Sequence, residues 1–146
     1  MILNDTLMLG DCISSRNEFY NLQVVGLRAG DDCITCEYYD NGGKRFEVEV
    51  NESDIIPIPL TREIIFNLGF TMTSQTTHSQ VYINKEIDDM YGWLTIYVNK
   101  DDTIYITFFN EHNMIDILKY SIKYVHELQH ILTELGIPKE FFNFNI

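Results

Sequence analysis

One predicted β-hairpin constrains the fold of this chain more than any other stretch of the sequence. Its two arms are residues 33–39 and 45–50, and the turn residues Asp40-Asn-Gly-Gly-Lys44 lie between them. The second arm alternates Phe, Val and Val with glutamates, which is typical of a strand with one buried face. Other short apolar segments lie on either side, so we predict four or five antiparallel strands in a small curled sheet or an SH3-like barrel.

The rest of the chain predicts a second sheet and a helix. Pro57 and Pro59 end the first lobe with an extended segment, and Thr61 is placed to cap a short helix over residues 62–68, which Gly69 would end. Residues 93–98 and 103–108 predict another hairpin, and residues 114–135 predict one long amphipathic helix. We therefore predict an α+β fold. An SH3-like lobe at 1–58 precedes an antiparallel sheet with a C-terminal helix at 59–146, and the two could also form a single compact domain.

Charge and cysteine content narrow the class of protein. The chain has 22 acidic and 10 basic residues, a formal net charge of −12, and its cations are scattered. Such a surface repels phosphate backbones, so we expect no direct nucleic-acid binding. No apolar run reaches the length of a membrane span, and we expect a cytoplasmic protein with reduced thiols at Cys12, Cys33 and Cys36. Strand residues three apart face opposite sides, which argues against a shared metal site at Cys33 and Cys36.

The stretch His126-Glu127-Leu128-Gln129-His130 has the spacing of a zinc hydrolase. Histidines four residues apart on a helix can share one Zn²⁺, and the glutamate between them can polarise the metal-bound water. This alternative assigns His126 and His130 as metal ligands and Glu127 as the catalytic base.

Two features of the surrounding sequence argue against that alternative. A catalytic zinc needs a third protein ligand, and only Glu134 and Glu140 follow closely, while His78 and His112 would have to arrive from upstream. On the predicted helix the two histidines also share a face with Lys119 and Lys123. We therefore expect surface histidines on a packing helix and no metal or catalytic site. The acids at 31–32, 86–89 and 101–102 are interpreted as solvated residues in turns or loops.

Two motifs resemble those of a known group of proteins. Ile56-Pro-Ile-Pro-Leu-Thr61 followed by Leu68-Gly-Phe70, and Lys123-Tyr-Val-His-Glu-Leu-Gln-His130 near the end, are similar to the pattern PIPLT..WL..LGF and YVHQLQN. That pattern belongs to small uncharacterised proteins encoded by phages and mobile elements of gut bacteria. It has Gln in place of Glu127 and Asn in place of His130, so the resemblance implies a phage or mobile-element setting and no mechanism.

Together these features predict a non-catalytic protein that binds a protein partner as an accessory factor. The alternative is a small zinc-dependent hydrolase using His126, Glu127 and His130. Phe142, Phe144 and Ile146 alternate with asparagines at the C-terminus, as in a final strand. We expect this tail to dock on the sheet or to join two copies into a homodimer.

Overall fold

The computed structural model describes residues 7, 11–16, 18–27, 32–110, 120–138 and 141, without the side chains of residues 18–20 and 120. The chain forms two compact units. Unit 1 consists of Met1–Pro59, Tyr124–His130 and Asn145, and unit 2 consists of Leu60–Lys123, Ile131–Phe144 and Ile146. The described residues contain two antiparallel sheets and helices, so the predicted α+β class is confirmed.

Unit 1 is built on a five-stranded antiparallel sheet. Its strands are β1 (Cys12–Ser15), β2 (Glu18–Leu27), β3 (Cys33–Tyr39), β4 (Arg45–Asn51) and β5 (Ile55–Pro57), and a 3-10 turn at Glu52–Asp54 precedes β5. The order across the sheet is β4-β3-β2-β1-β5. The prediction of a closed barrel is wrong, because β4 and β5 are the two edges of an open sheet in the described part of the chain. A three-residue strand that ends at a proline offers few donors to a further strand.

The predicted first hairpin is confirmed as β3 and β4, which pair along their whole length. Asp40 sets the turn, since its Oδ1 accepts hydrogen bonds from the backbone N–H groups of Gly42 at 2.9 Å and Lys44 at 2.8 Å. Gly43 has a φ of +77°, a conformation that favours glycine. Asp40 and Gly43 therefore supply the hydrogen-bond acceptor and the positive φ that this turn requires.

The core of unit 1 is a cluster of buried apolar side chains. Its members are Leu7, Ile13, Leu22, Val24, Ile34, Cys36, Val50 and Ile55. Cys36 belongs to this core, whereas the Sγ of Cys33 donates to Asn51 Oδ1 at 3.2 Å. The two thiols of the Cys-x-x-Cys stretch therefore diverge, as predicted for residues three apart on a strand.

Unit 2 is built on a second five-stranded antiparallel sheet. Its elements are α1 (Arg62–Asn67), β6 (Thr71–Gln75), β7 (Ser79–Ile83), α2 (Lys85–Met90), β8 (Trp93–Asn99), β9 (Ile104–Phe109) and β10 (Tyr120–Ile122). The strand order is β10-β9-β8-β7-β6. The cap of α1 is confirmed, because Thr61 Oγ1 accepts a hydrogen bond from the N–H of Ile64 at 3.2 Å. Gly69 follows the helix with a φ of +83°.

The prediction of a loop at residues 86–89 is wrong, because these residues lie in α2. Asn84 caps this short helix: its Oδ1 accepts hydrogen bonds from the N–H groups of Glu86 and Ile87 at 3.1 and 3.3 Å. Ile87 is completely buried. One side-chain cap and one buried apolar residue are thus enough to make a helix of an acidic stretch.

The second predicted hairpin is confirmed as β8 and β9. Leu94, Ile96 and Val98 are buried on β8 and alternate with more exposed residues. Gly92 precedes β8 with a φ of +131°, and a Cβ at this position would lie 2.7 Å from the carbonyl oxygen of Phe109. Only glycine fits where the two strands approach each other this closely.

The C-terminal helix is shorter than its sequence pattern predicts. Helix α3 is Val125–Glu134, whereas Tyr120–Ile122 forms strand β10 paired with β9. The predicted helix start at residue 114 lies outside the described residues, as do His112 and the tail residues 142–146. Tyr and Ile favour strands, and α3 begins only after Tyr124, whose cap is described below. No helix in the described part of the chain is long and apolar enough to cross a membrane.

Candidate functional site

Glu127 caps the helix that carries the zinc-like motif. Tyr124 is the residue immediately before α3, and its backbone N–H donates a hydrogen bond to Glu127 Oε2 at 3.0 Å. A glutamate at the third helical position that reaches back to the cap residue is the second half of a capping box, and its charge also suits the helix N-terminus. The carboxylate that would polarise a zinc-bound water is therefore bound to the backbone.

His130 is paired with a buried aspartate that immediately precedes β1. Its Nε2 lies 2.9 Å from both carboxylate oxygens of Asp11, whose side chain is almost completely buried. A carboxylate can only accept, so Nε2 carries the proton and donates it between the two oxygens. A buried carboxylate is stable only when it is paired in this way.

His126 is buried beside this pair, with only 5% of its surface exposed. Its ring stacks on Tyr124 at 5.7 Å and meets the edge of the His130 ring at 5.8 Å. Burial lowers the pKa of His126, while Asp11 and Glu127 act in the opposite direction. Its Nδ1 is buried and has no hydrogen-bond partner within the described residues. The expectation of a surface histidine is therefore wrong for His126, and His130 is half-buried.

Cys12 and Gln129 complete the cluster. Gln129 Oε1 accepts a hydrogen bond from the N–H of Cys12 at 2.9 Å, and its Nε2 lies 3.7 Å from the Cys12 sulfur. Burial raises the pKa of the Cys12 thiol to about 11. The thiol is therefore protonated at neutral pH and is a poor nucleophile.

This histidine cluster consists of Asp11, Cys12, His126, Gln129 and His130. It brings the two motif histidines together, and it adds an aspartate that no spacing in the sequence indicates. His78 belongs to unit 2, where it is exposed in the turn between β6 and β7. Within the described residues no three His, Cys, Asp or Glu side chains are grouped so that they could hold one metal ion. The arrangement can bind helix to strand through polar contacts.

A second candidate is the sheet face of unit 2 that the apolar core does not cover. Trp93 and Tyr97 on β8 lie opposite Phe109 and Tyr105 on β9. We call these four residues the aromatic face. The rings of Trp93 and Phe109 are stacked at 5.5 Å with an interplanar angle of 25°, and Trp93 is 54% exposed. Strand alternation places the buried residues of both strands on the opposite side.

The described residues form an α+β fold with two antiparallel sheets, and the two candidate sites are the histidine cluster and the aromatic face. Comparisons with protein families, curated proteins and solved structures found no match to the chain.

Proposed function

We propose that this chain is a non-catalytic accessory protein that binds a protein partner through its aromatic face. The exposure of Trp93 carries this proposal, because 54% of this large aromatic residue remains in water. Tryptophan and tyrosine are enriched at protein interfaces, where they contribute much of the binding energy. A stacked pair is also rigid, so little side-chain entropy is lost on binding.

A protein partner suits this face better than a nucleic acid does. Aromatic side chains can stack on bases, but single-strand binding also needs a positively charged groove. The chain carries a net charge of −12, and Arg62 on α1 is already paired with Asp102 at 3.1 Å. The acidic surface therefore favours a partner that is a protein.

The proposal also includes the origin of the protein and the structural class of unit 1. The resemblance of the two motifs supports a phage or mobile-element origin. The pairing of β1 with β5, which brings the last strand of the lobe beside the first, supports an open SH3-like unit. Buried thiols at Cys12 and Cys36 are consistent with a reducing cytoplasm.

The test uses the only tryptophan of the chain. Wild type, Trp93→Ala and Met90→Ala would be used to capture proteins from the source cells, and captured candidates would be purified. Met90 is a matched control because it is 65% exposed on α2, outside the aromatic face. We expect one partner to bind wild type and Met90→Ala, to fail with Trp93→Ala, and to shift the Trp93 emission to shorter wavelength. Equal capture by all three proteins contradicts the proposal.

The zinc hydrolase remains the alternative, and one contact supports it. The rings of His126 and His130 lie 5.8 Å apart, and the Asp11 carboxylate is 2.9 Å from His130 Nε2, although these described side chains are not grouped to hold one metal ion. Metal analysis of protein purified without a histidine tag separates the two proposals. One zinc per chain that is lost in His126→Phe favours the hydrolase, whereas a zinc content that this substitution leaves unchanged favours the binding protein.

A further inference from the structure

The free edge of β6 is a surface that neither the histidine cluster nor the aromatic face uses. Strand β6 is the last in the sheet of unit 2 and pairs only with β7 in the described part of the chain. All five of its residues, Thr71–Gln75, are exposed, so both of its faces are in water. Such an edge presents unpaired backbone donors and acceptors to any other strand.

The free edge lies in an uncharged part of an otherwise highly charged chain. No Asp, Glu, Lys or Arg occurs between Glu63 and Lys85, although 22% of all residues are charged. Natural edge strands commonly carry charges, and lysine above all, which keep other strands away. Strand β6 carries Thr, Met, Thr, Ser and Gln instead. A bulge between Met72 and Ser74 is the one protective feature in its pairing with β7.

Apolar and backbone groups are both available in this segment. Met72 is 50% exposed on β6, and Phe66 on the preceding helix is also exposed. The backbone N–H of Thr76 donates to the carbonyl of Ser79, at 2.8 Å, at the end of the β6–β7 ladder. Hydrogen-bonding direction alternates along an antiparallel strand, so the N–H of Gln75 points away from β7. Gln75 is thus a donor for a partner strand.

We propose that a second copy of this chain pairs with this edge, β6 against β6 about a twofold axis. The distribution of charge favours a second copy of the chain over other partners. Two copies of net charge −12 repel wherever acids meet, so they associate at the lowest cost where acids are absent. A basic segment, the partner that an acidic protein otherwise attracts, finds no opposite charge on β6. Antiparallel pairing of identical strands also closes the assembly at two copies.

This inference is independent of partner binding through the aromatic face. It also differs from the homodimer predicted for the C-terminal tail, which would use Phe142, Phe144 and Ile146. The two sites for self-association can be separated by substitution, because β6 and the tail have no residue in common.

The test is the mass of the full chain in solution, measured by sedimentation velocity up to about 0.1 mM. We expect wild type to be a dimer. Met72→Lys should raise the dimer dissociation constant at least about tenfold, because it places two lysines in the interface. Met90→Lys, an identical change at an exposed methionine outside the segment, should leave the constant unchanged. Gln75→Pro, which removes the edge donor, should act like Met72→Lys.

Three results overturn the inference. The first is a wild-type chain that stays monomeric over the whole range. The second is a dimer that Met72→Lys and Gln75→Pro both leave intact while their far-UV spectra match wild type. The third is a dimer that is lost only with Phe144→Asp, which assigns the contact to the tail. If Met72→Lys alone fails to fold, Gln75→Pro decides the outcome.

Discussion

Removing His130 should leave a buried carboxylate without its histidine, and the structure allows the cost to be worked out. The side chains of Asp11 and His130 are 3% and 22% exposed, and both carboxylate oxygens lie 2.9 Å from the same Nε2–H group. Breaking a buried pair by removing one partner costs about 3–5 kcal/mol. Because water can enter from the His130 side, we expect His130→Ala to lose about 3 kcal/mol of unfolding free energy.

A double-mutant cycle isolates the pair from the packing around it. Asp11→Ala leaves the partly exposed imidazole of His130 without its aspartate and should cost about 1–2 kcal/mol. The double variant contains neither the carboxylate nor its histidine, so it should be more stable than the sum of the single changes predicts, by at least about 1.5 kcal/mol. Urea unfolding followed by circular dichroism measures all four proteins. His78→Ala, at an exposed histidine, should stay within about 0.5 kcal/mol of wild type.

Additivity within about 0.5 kcal/mol would refute the pair, because residues that do not interact give additive changes. A loss below about 1 kcal/mol for His130→Ala would lead to the same conclusion. It would mean that Asp11 is hydrated in solution and is not held in a buried pair by the histidine.

Three further changes test other parts of the structure. Burial lowers the pKa of His126 below 6.5, so the unfolded chain takes up a proton at this residue at a higher pH than the folded protein does. The contribution of neutral His126 to stability is therefore complete above pH 6.5 and is lost as the pH falls below that value. His126→Phe should therefore flatten the fall in urea stability below pH 6.5. Gly92→Ala should cost about 1–3 kcal/mol in the same assay, because its Cβ would meet the Phe109 carbonyl, whereas an unchanged midpoint would contradict the close approach. Alkylation at pH 8, followed by mass spectrometry, should modify the half-buried Cys33 before Cys12, and the reverse order would contradict the raised pKa of Cys12.

Local patterns predict the strands of this chain well and the limits of its last helix poorly. Both hairpins follow from alternation and turn residues, which act over a few positions. The predicted helix extends too far towards the N-terminus because Ile122 fits its amphipathic pattern. Ile122 instead pairs with Ile104 in the sheet, a partner that periodicity cannot indicate. The sequence predicts an exposed His126 because a longer helix would place it on the same face as Lys123. Lys123 precedes α3, so the two residues do not share a helix face.

The candidate sites differ in how far the sequence can reveal them. Asp11 and His130 are separated by most of the chain, and the residues next to each of them do not indicate that the two side chains pair. Their pairing is a product of tertiary structure alone. The charge-free segment that contains β6 is different, because a count of charged residues along the chain is enough to find it. The net charge of the whole chain, −12, does not reveal this uncharged segment.

The zinc-like spacing has structural uses that account for two of its three residues. Glu127 is the residue type that reaches back to cap α3, and His130 supplies the donor that a buried Asp11 needs. His126 has no such account, because its buried Nδ1 without a described partner costs about 1–3 kcal/mol that an apolar side chain would avoid. The two interpretations therefore predict opposite results at this residue. If the cluster is structural, His126→Phe should stabilise the protein at neutral pH and leave its partner binding intact. If the cluster holds zinc, the same change should remove the metal and, with it, stability.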